Sequence, residues 1–262
     1  MSAPPSTQIP PVVEMRGVAA NSVRNMDTVA VEEVNWTVAA GDFWVIGGLH
    51  GSGKTDLLML AGGMAAPARG EYFFHGREML LFEGEQLEER LRVGFVFEEG
   101  QLLNQLTVAE NVALPLRYHK DLTDGEADAA VRRMLEATEL SPWTDSTPGA
   151  ITRNWRKRAG LARVLMLQPD LLLLHNPLTG LDLRQRKWWL NFLGELSRGC
   201  ELTNGKPVTL VVTADDFGPW RNYARQFAVL KSKRLVVLGT WEQVEAASDE
   251  LVRELSAAPA GN

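Results

Sequence analysis

Apolar and polar positions along the chain fall into short runs of two kinds. Val12–Val18, Val29–Val38 and Phe43–Ile46 read as strands, as do Gly70–Phe74, Val93–Phe97, Val208–Thr213, Phe227–Leu230 and Arg234–Leu238. Helical stretches stand between and after them, at Lys54–Met64, Val108–Leu114, Glu126–Ala137, Arg156–Leu167, Arg184–Leu196 and Trp241–Leu255. Leu171–Leu174 is apolar at every position and reads as a short buried strand. Strands alternating with helices imply an α/β fold whose mostly parallel sheet is covered on both faces.

Composition adds exclusions. With 27 Lys and Arg against 33 Asp and Glu, the net charge is −6, which argues against a general nucleic-acid binder. A single cysteine, Cys200, permits no internal disulfide and fits a reducing compartment. No apolar run approaches the roughly 18 residues that span a bilayer. The Pro- and Ser-rich start, residues 1–11, is expected to be a flexible leader rather than a signal peptide, and 257–262 a flexible tail.

The first chemistry stands between a strand and a helix. Gly48-Leu49-His50-Gly51-Ser52-Gly53-Lys54-Thr55 matches the pattern of a phosphate-binding loop. Its glycines let backbone N–H groups curl around phosphate oxygens, and the following helix N-terminus adds positive potential. Lys54 is expected to reach the β- and γ-phosphates of ATP, and the Thr55 hydroxyl to ligate Mg²⁺. Asp56, one residue on, is expected to repel a bound triphosphate and weaken its affinity.

Further stretches carry a family resemblance. They are Leu106-Thr107-Val108-Ala109-Glu110-Asn111-Val112, running on to Leu116-Arg117; Arg158-Ala159-Gly160-Leu161-Ala162-Arg163; and Gln168-Pro169-Asp170-Leu171. With the loop above, the chain resembles an ABC-transporter nucleotide-binding subunit from about Val12 to Leu255. The wording around Val108–Arg117 and the tail Leu251–Leu255 are most similar to Mla-type, MCE-linked lipid-transport ATPases. The resemblance implies a P-loop ATPase core, an antiparallel β subdomain and a helical subdomain at about 99–160, within one unit spanning 12–256. It also implies a permease partner in the inner membrane, pairing with a like or paralogous subunit, and company with an MCE-type lipid-binding protein. Such a subunit is expected to be cytoplasmic and peripheral on the inner membrane.

The departures from the family are chemical. Where the family carries a Mg²⁺-binding Asp and a general-base Glu, this chain has His175 and Asn176. An imidazole is a poor ligand for a hard cation, and an amide is no base at neutral pH. The family's switch histidine is Ala214 here. Its glycine-rich signature loop aligns with Ile151-Thr152-Arg153-Asn154-Trp155, where Arg153 and Asn154 are expected to project into the gap facing a partner's nucleotide. Glu98 replaces a Mg²⁺-sensing Gln and is expected to retain the capacity to ligate the metal. Leu181-Asp182 keeps the loop that contacts the partner subunit, while Val18–Met26 offers no aromatic side chain to stack on adenine.

Weaker signals complete the reading. The basic cluster Arg153, Arg156, Lys157 and Arg158 is read as a solvated helix face, with contact to a partner's nucleotide or lipid headgroups as the alternative. Trp188 and Trp189 are left between core and interface. Two functions follow: a transport ATPase subunit with impaired or absent hydrolysis, or a non-hydrolysing scaffold or nucleotide-gated regulator of a permease or an active paralogue.

Overall fold

The computed structural model describes residues 10–79, 87–120 and 122–257; most of the expected leader and tail lies outside them. Two sheets organise the chain. Strands β1 (Val13–Asn21), β2 (Val29–Val38), β4 (Arg69–Phe74) and β5 (Arg77–Glu78) form an antiparallel sheet in the order β2-β1-β4-β5. The second sheet runs β10-β9-β3-β8-β7-β6, with β3 (Phe43–Gly47), β6 (Val93–Val96), β7 (Leu171–Leu174), β8 (Thr209–Ala214), β9 (Gln226–Lys231) and β10 (Arg234–Gly239). Within it β6, β7, β8, β3 and β9 are mutually parallel, and β10 returns antiparallel to β9.

Strand alternation explains the all-apolar runs. Leu172 and Leu174 enter the core on the helical side of the parallel sheet, whereas Leu171 and Leu173 enter the core between the two sheets. Phe43 and Val45 likewise oppose Trp44 and Ile46. All four leucines are fully buried, each contributing roughly 1.5–3 kcal/mol. Helix α1 (Lys54–Ala61) joins the core between the sheets, where Leu57, Leu58, Leu60 and Ala61 are buried.

Helices fill the long connection from β6 to β7. A short α2 (Leu87–Leu91) precedes β6, and α3 (Val108–His119), α4 (Asp124–Ala137) and α5 (Arg153–Leu165) follow it. Thr107 and Thr123 cap α3 and α4 with reciprocal bonds to Glu110 and Glu126. Helix α3 runs past the expected stop before Pro115, because buried Val108, Val112 and Leu116 hold both sides of the proline to the core. The terminal helix expected over Trp241–Leu255 is two helices, α7 (Trp241–Glu245) and α8 (Glu250–Ser256), after α6 (Leu183–Arg198). Asp249 starts the second by accepting from the Val252 amide at 3.3 Å while pairing with Lys231 at 2.7 Å.

The loop after β6 is locked to α5 by a close approach of backbones. Gly100 has φ +78°, and a Cβ on Gly160 would stand 2.7 Å from the Gly100 carbonyl oxygen. This contact fixes the segment that carries Glu98 and Glu99. Gly160→Ala is therefore expected to cost about 1–3 kcal/mol in urea unfolding, with the loop displaced, whereas a neutral substitution would show the contact to be compliant.

Candidate functional site

In a parallel sheet the strands' carboxyl ends share one edge, and ligands bind there. Registers Gly47 to Ala214, Val212 to Leu174 and Leu174 to Val96 align four strand ends side by side. The phosphate loop follows β3, Asp215 follows β8, His175 and Asn176 follow β7, and Glu98 follows β6. Residues from Gly48 to Asp215 meet there because of strand order.

The loop has the form of an anion cradle. Gly48, Gly51 and Gly53 all have positive φ, and a Cβ on Gly53 would lie 2.9 Å from the Ala30 carbonyl oxygen. Gly53 leads into α1, whose first turn contains Lys54 and Thr55. The Ser52 hydroxyl is buried without a partner, an orphaned group that a phosphate oxygen would satisfy. Leu49 and His50 are exposed at the tip. These features fit a phosphate chain at Gly48–Thr55.

Lys54 is only 6% exposed. Its ammonium donates to the Gly48 carbonyl and to the Leu49 carbonyl at 3.1 Å, and it pairs with the Asp215 carboxylate at 3.2 Å. Asp215 also lies 3.5 Å from the Asn176 side-chain amide. Asn176, itself at φ +43°, takes a backbone bond from its own N–H to the Thr213 hydroxyl at 3.1 Å, and its side-chain oxygen accepts from that hydroxyl at 3.2 Å. Ala214 is buried at the end of β8 with no polar group to offer.

The two side chains expected to ligate Mg²⁺ are engaged by other residues. His175 Nε2 is 3.0 Å from the Thr55 hydroxyl, in hydrogen-bond contact with the oxygen expected to bind Mg²⁺. Burial pushes the imidazole below its ordinary pKa, Glu98 and Asp215 oppose that, and Lys54 and Lys157 reinforce it. The Glu98 carboxylate, the other expected ligand, accepts from Arg153 at 2.6 Å. Among the described residues no cluster of three or more His, Cys, Asp or Glu side chains could hold a metal. The set does not fit Mg²⁺ as it stands: the Thr55 hydroxyl is engaged by His175, one Glu98 oxygen by Arg153, and the neighbouring imidazole is unsuited to a hard cation.

The altered signature segment differs from expectation. Thr152 precedes α5 and makes no side-chain cap bond. Arg153 turns to Glu98 and to Glu99 at 2.5 Å rather than outward. Asn154 is buried and accepts from the Trp189 indole at 3.4 Å, so it does not project into a gap. Trp155 packs on Trp143 and lies under the Arg158 guanidinium.

The basic cluster is not a solvated face. Arg158 is buried between Trp155 and Trp188, 3.7 Å from the latter ring, and pairs with Glu139 at 2.7 Å. Trp189 is fully buried, so this tryptophan pair belongs to the core. Lys157, 1% exposed, donates to the Thr179 carbonyl at 2.7 Å and the Pro177 carbonyl at 3.3 Å, pinning the segment after Asn176. Two acids have structural partners that spacing alone did not suggest: Asp56 accepts from the Val23 amide at 2.8 Å, and Asp182 caps α6 through the Gln185 amide at 2.8 Å.

Sequence reasoning assigned Asp215 no role and read Lys157 only as part of a solvated basic cluster. Asp215 could have been found from its place directly after a parallel strand beside the phosphate loop. Lys157 carried no local signal, because its acceptors come from a segment twenty residues away.

A family model described as ABC transporter matches residues 31–179. The intermembrane phospholipid transport system ATP-binding protein MlaF of Escherichia coli K12 is 30% identical over 244 residues, covering 93% of this chain and 87% of that protein. MlaF of Haemophilus influenzae is 30% identical over 224 residues, covering 85% and 83%. Among solved structures, a dimeric post-hydrolysis state of the ATP-binding cassette MJ0796 with ADP and Pi has a TM-score of 0.75 at 25% identity, over 85% of this chain and 96% of that one. The cbiO1 component of a Clostridium perfringens ABC transporter has a TM-score of 0.77 at 22% identity, over 94% of each chain.

Burial pushes the Lys157 amine down to about 8 from 10.5, helped by the Arg153 charge and opposed by Glu98 and Glu99. The unfolded chain holds a proton there that the folded chain sheds, so this residue contributes stability that rises from pH 8 to 10.5 and is lost as pH falls through 8. Denaturant titrations of the native chain and Lys157→Met are expected to diverge in the native chain's favour across that window. Parallel pH curves would contradict the assignment.

Proposed function

This chain belongs to the ABC transporter family as an ATP-binding subunit, and from that premise we propose that it serves a lipid-transport complex and turns ATP over poorly. The lipid assignment rests on its similarity to the MlaF proteins. The catalytic assignment rests on one observation: at the base position Asn176 offers an amide whose oxygen already accepts from Thr213. Loss of a positioned base costs about 10²–10⁴-fold in rate. His175 on Thr55 and Arg153 on Glu98 add to the case, since both engage oxygens that a metal would need.

Binding itself is supported by the cradle. Gly48, Gly51 and Gly53 supply the positive-φ backbone of the loop, Ser52 has an unmet hydroxyl, and Lys54 supplies the charge. ATP held there contributes charge and binding energy for domain pairing. The residues of this chain bind and orient it, with Mg²⁺ not accommodated unless Thr55 and Glu98 are released from their protein partners.

On this reading residues 12–256 act as one nucleotide-binding unit with the helices at about 99–160 as a subdomain. The unit pairs with a second copy or a paralogue, docks on the cytoplasmic side of an inner-membrane permease, and works beside an MCE-type lipid-binding protein. No helix among the described residues is long and apolar enough to cross a membrane, so contact with the bilayer runs through that permease. A regulatory role, in which nucleotide occupancy rather than hydrolysis sets the permease's state, is favoured by the internal pairing of Lys54 with Asp215.

Purified native chain is expected to bind ATP, and Lys54→Ala to bind it roughly tenfold to a hundredfold more weakly, the loss of a charge-assisted hydrogen bond. Phosphate release by the native chain should match that of Lys54→Ala. A Lys54-dependent rate of ordinary enzymatic size, on the order of 1–10³ per second, would remove the catalytic assignment. Affinity purification from membranes should recover an integral membrane permease; recovery of this chain alone would remove the transport assignment.

A further inference from the structure

The contact between Lys54 and Asp215 points beyond binding to selectivity. Lys54, the ammonium of the cradle, is nearly buried and already carries an anionic partner at 3.2 Å. That partner stands one residue after Ala214, where the family's γ-phosphate contact would be, and its second oxygen lies 3.5 Å from the Asn176 amide at the base position. Both family positions associated with the terminal phosphate therefore border on one carboxylate. Asp215 is 58% exposed at its side chain, so it can turn away from Lys54, but its backbone is held at the end of β8 beside β3.

We propose that Asp215 is a specificity-determining residue that lowers the affinity of this site for nucleoside triphosphates relative to diphosphates. The inference rests on the reading of Gly48–Thr55 as a nucleotide site. A phosphate brought to Lys54 must replace the carboxylate, and the displaced carboxylate stays close to the incoming charge. Repulsion grows with the charge of the polyphosphate, so a triphosphate is penalised more than a diphosphate. No histidine at position 214 opposes this with a donor. The amide of Asn176, freed from Asp215, is neutral and offers little compensation.

The test is calorimetric titration of ATP and ADP, in magnesium-containing buffer, into the native chain, Asp215→Asn and Asp215→Ala. The native chain should bind ADP at least as tightly as ATP. Both substitutions should tighten ATP about fivefold, the scale of one solvent-exposed charge contact, with ADP changing less than about twofold. Asp128→Asn, which removes an exposed charge on α4, should leave the ratio of the two affinities unchanged. An ATP-to-ADP ratio that is the same in all four chains overturns the proposal while leaving the nucleotide site intact. Absence of binding by every chain overturns both the proposal and the nucleotide-site reading.

Discussion

A nearly buried ammonium has to be met by oxygen, and the chain around Lys54 is arranged to do this from within. Burying a charge without partners costs several kcal/mol at least. Here two loop carbonyls and the Asp215 carboxylate meet it, and the carboxylate can come from β8 only because β8 pairs directly with β3. The loop's ammonium is thus met from within the protein.

Internal pairing recurs along the sheet edge. His175 meets Thr55, Arg153 meets Glu98, and Thr213 meets Asn176. Each pairing satisfies a polar group from within the protein. Lys157 then ties the segment after Asn176 to α5, and the Gly100–Gly160 approach ties the Glu98 loop to the same helix. Helix α5 is in this way the common support of both flanks of the site.

Local pattern accounted for much of the architecture. The glycine positions of Gly48–Thr55, the alternation within Leu171–Leu174 and the strand Val29–Val38 all correspond to elements in the fold. Boundaries were less legible where tertiary packing overrode a local rule. Pro115 sits inside α3 because apolar contacts on both sides hold the helix together. Asp249 divides the last helix in two through a cap whose Ser-Asp wording was present but not weighed. The polar segment Arg153–Arg158 was misjudged because charge suggests solvent, whereas Lys157 and Arg158 are buried against carbonyls and tryptophans.

The sequence by itself determined the class of fold and the place of the glycine-rich Gly48–Thr55 segment between a strand and a helix. These depend on spacing within single segments, and short-range geometry is written in residue order. Only the tertiary structure decided which groups meet. The pairings of Asp215 with Lys54, His175 with Thr55 and Arg153 with Glu98 span long stretches of chain and arise from strand order and helix packing. Electrostatic partnership depends on distance through space, and distances across a sheet edge are set when the strands assemble.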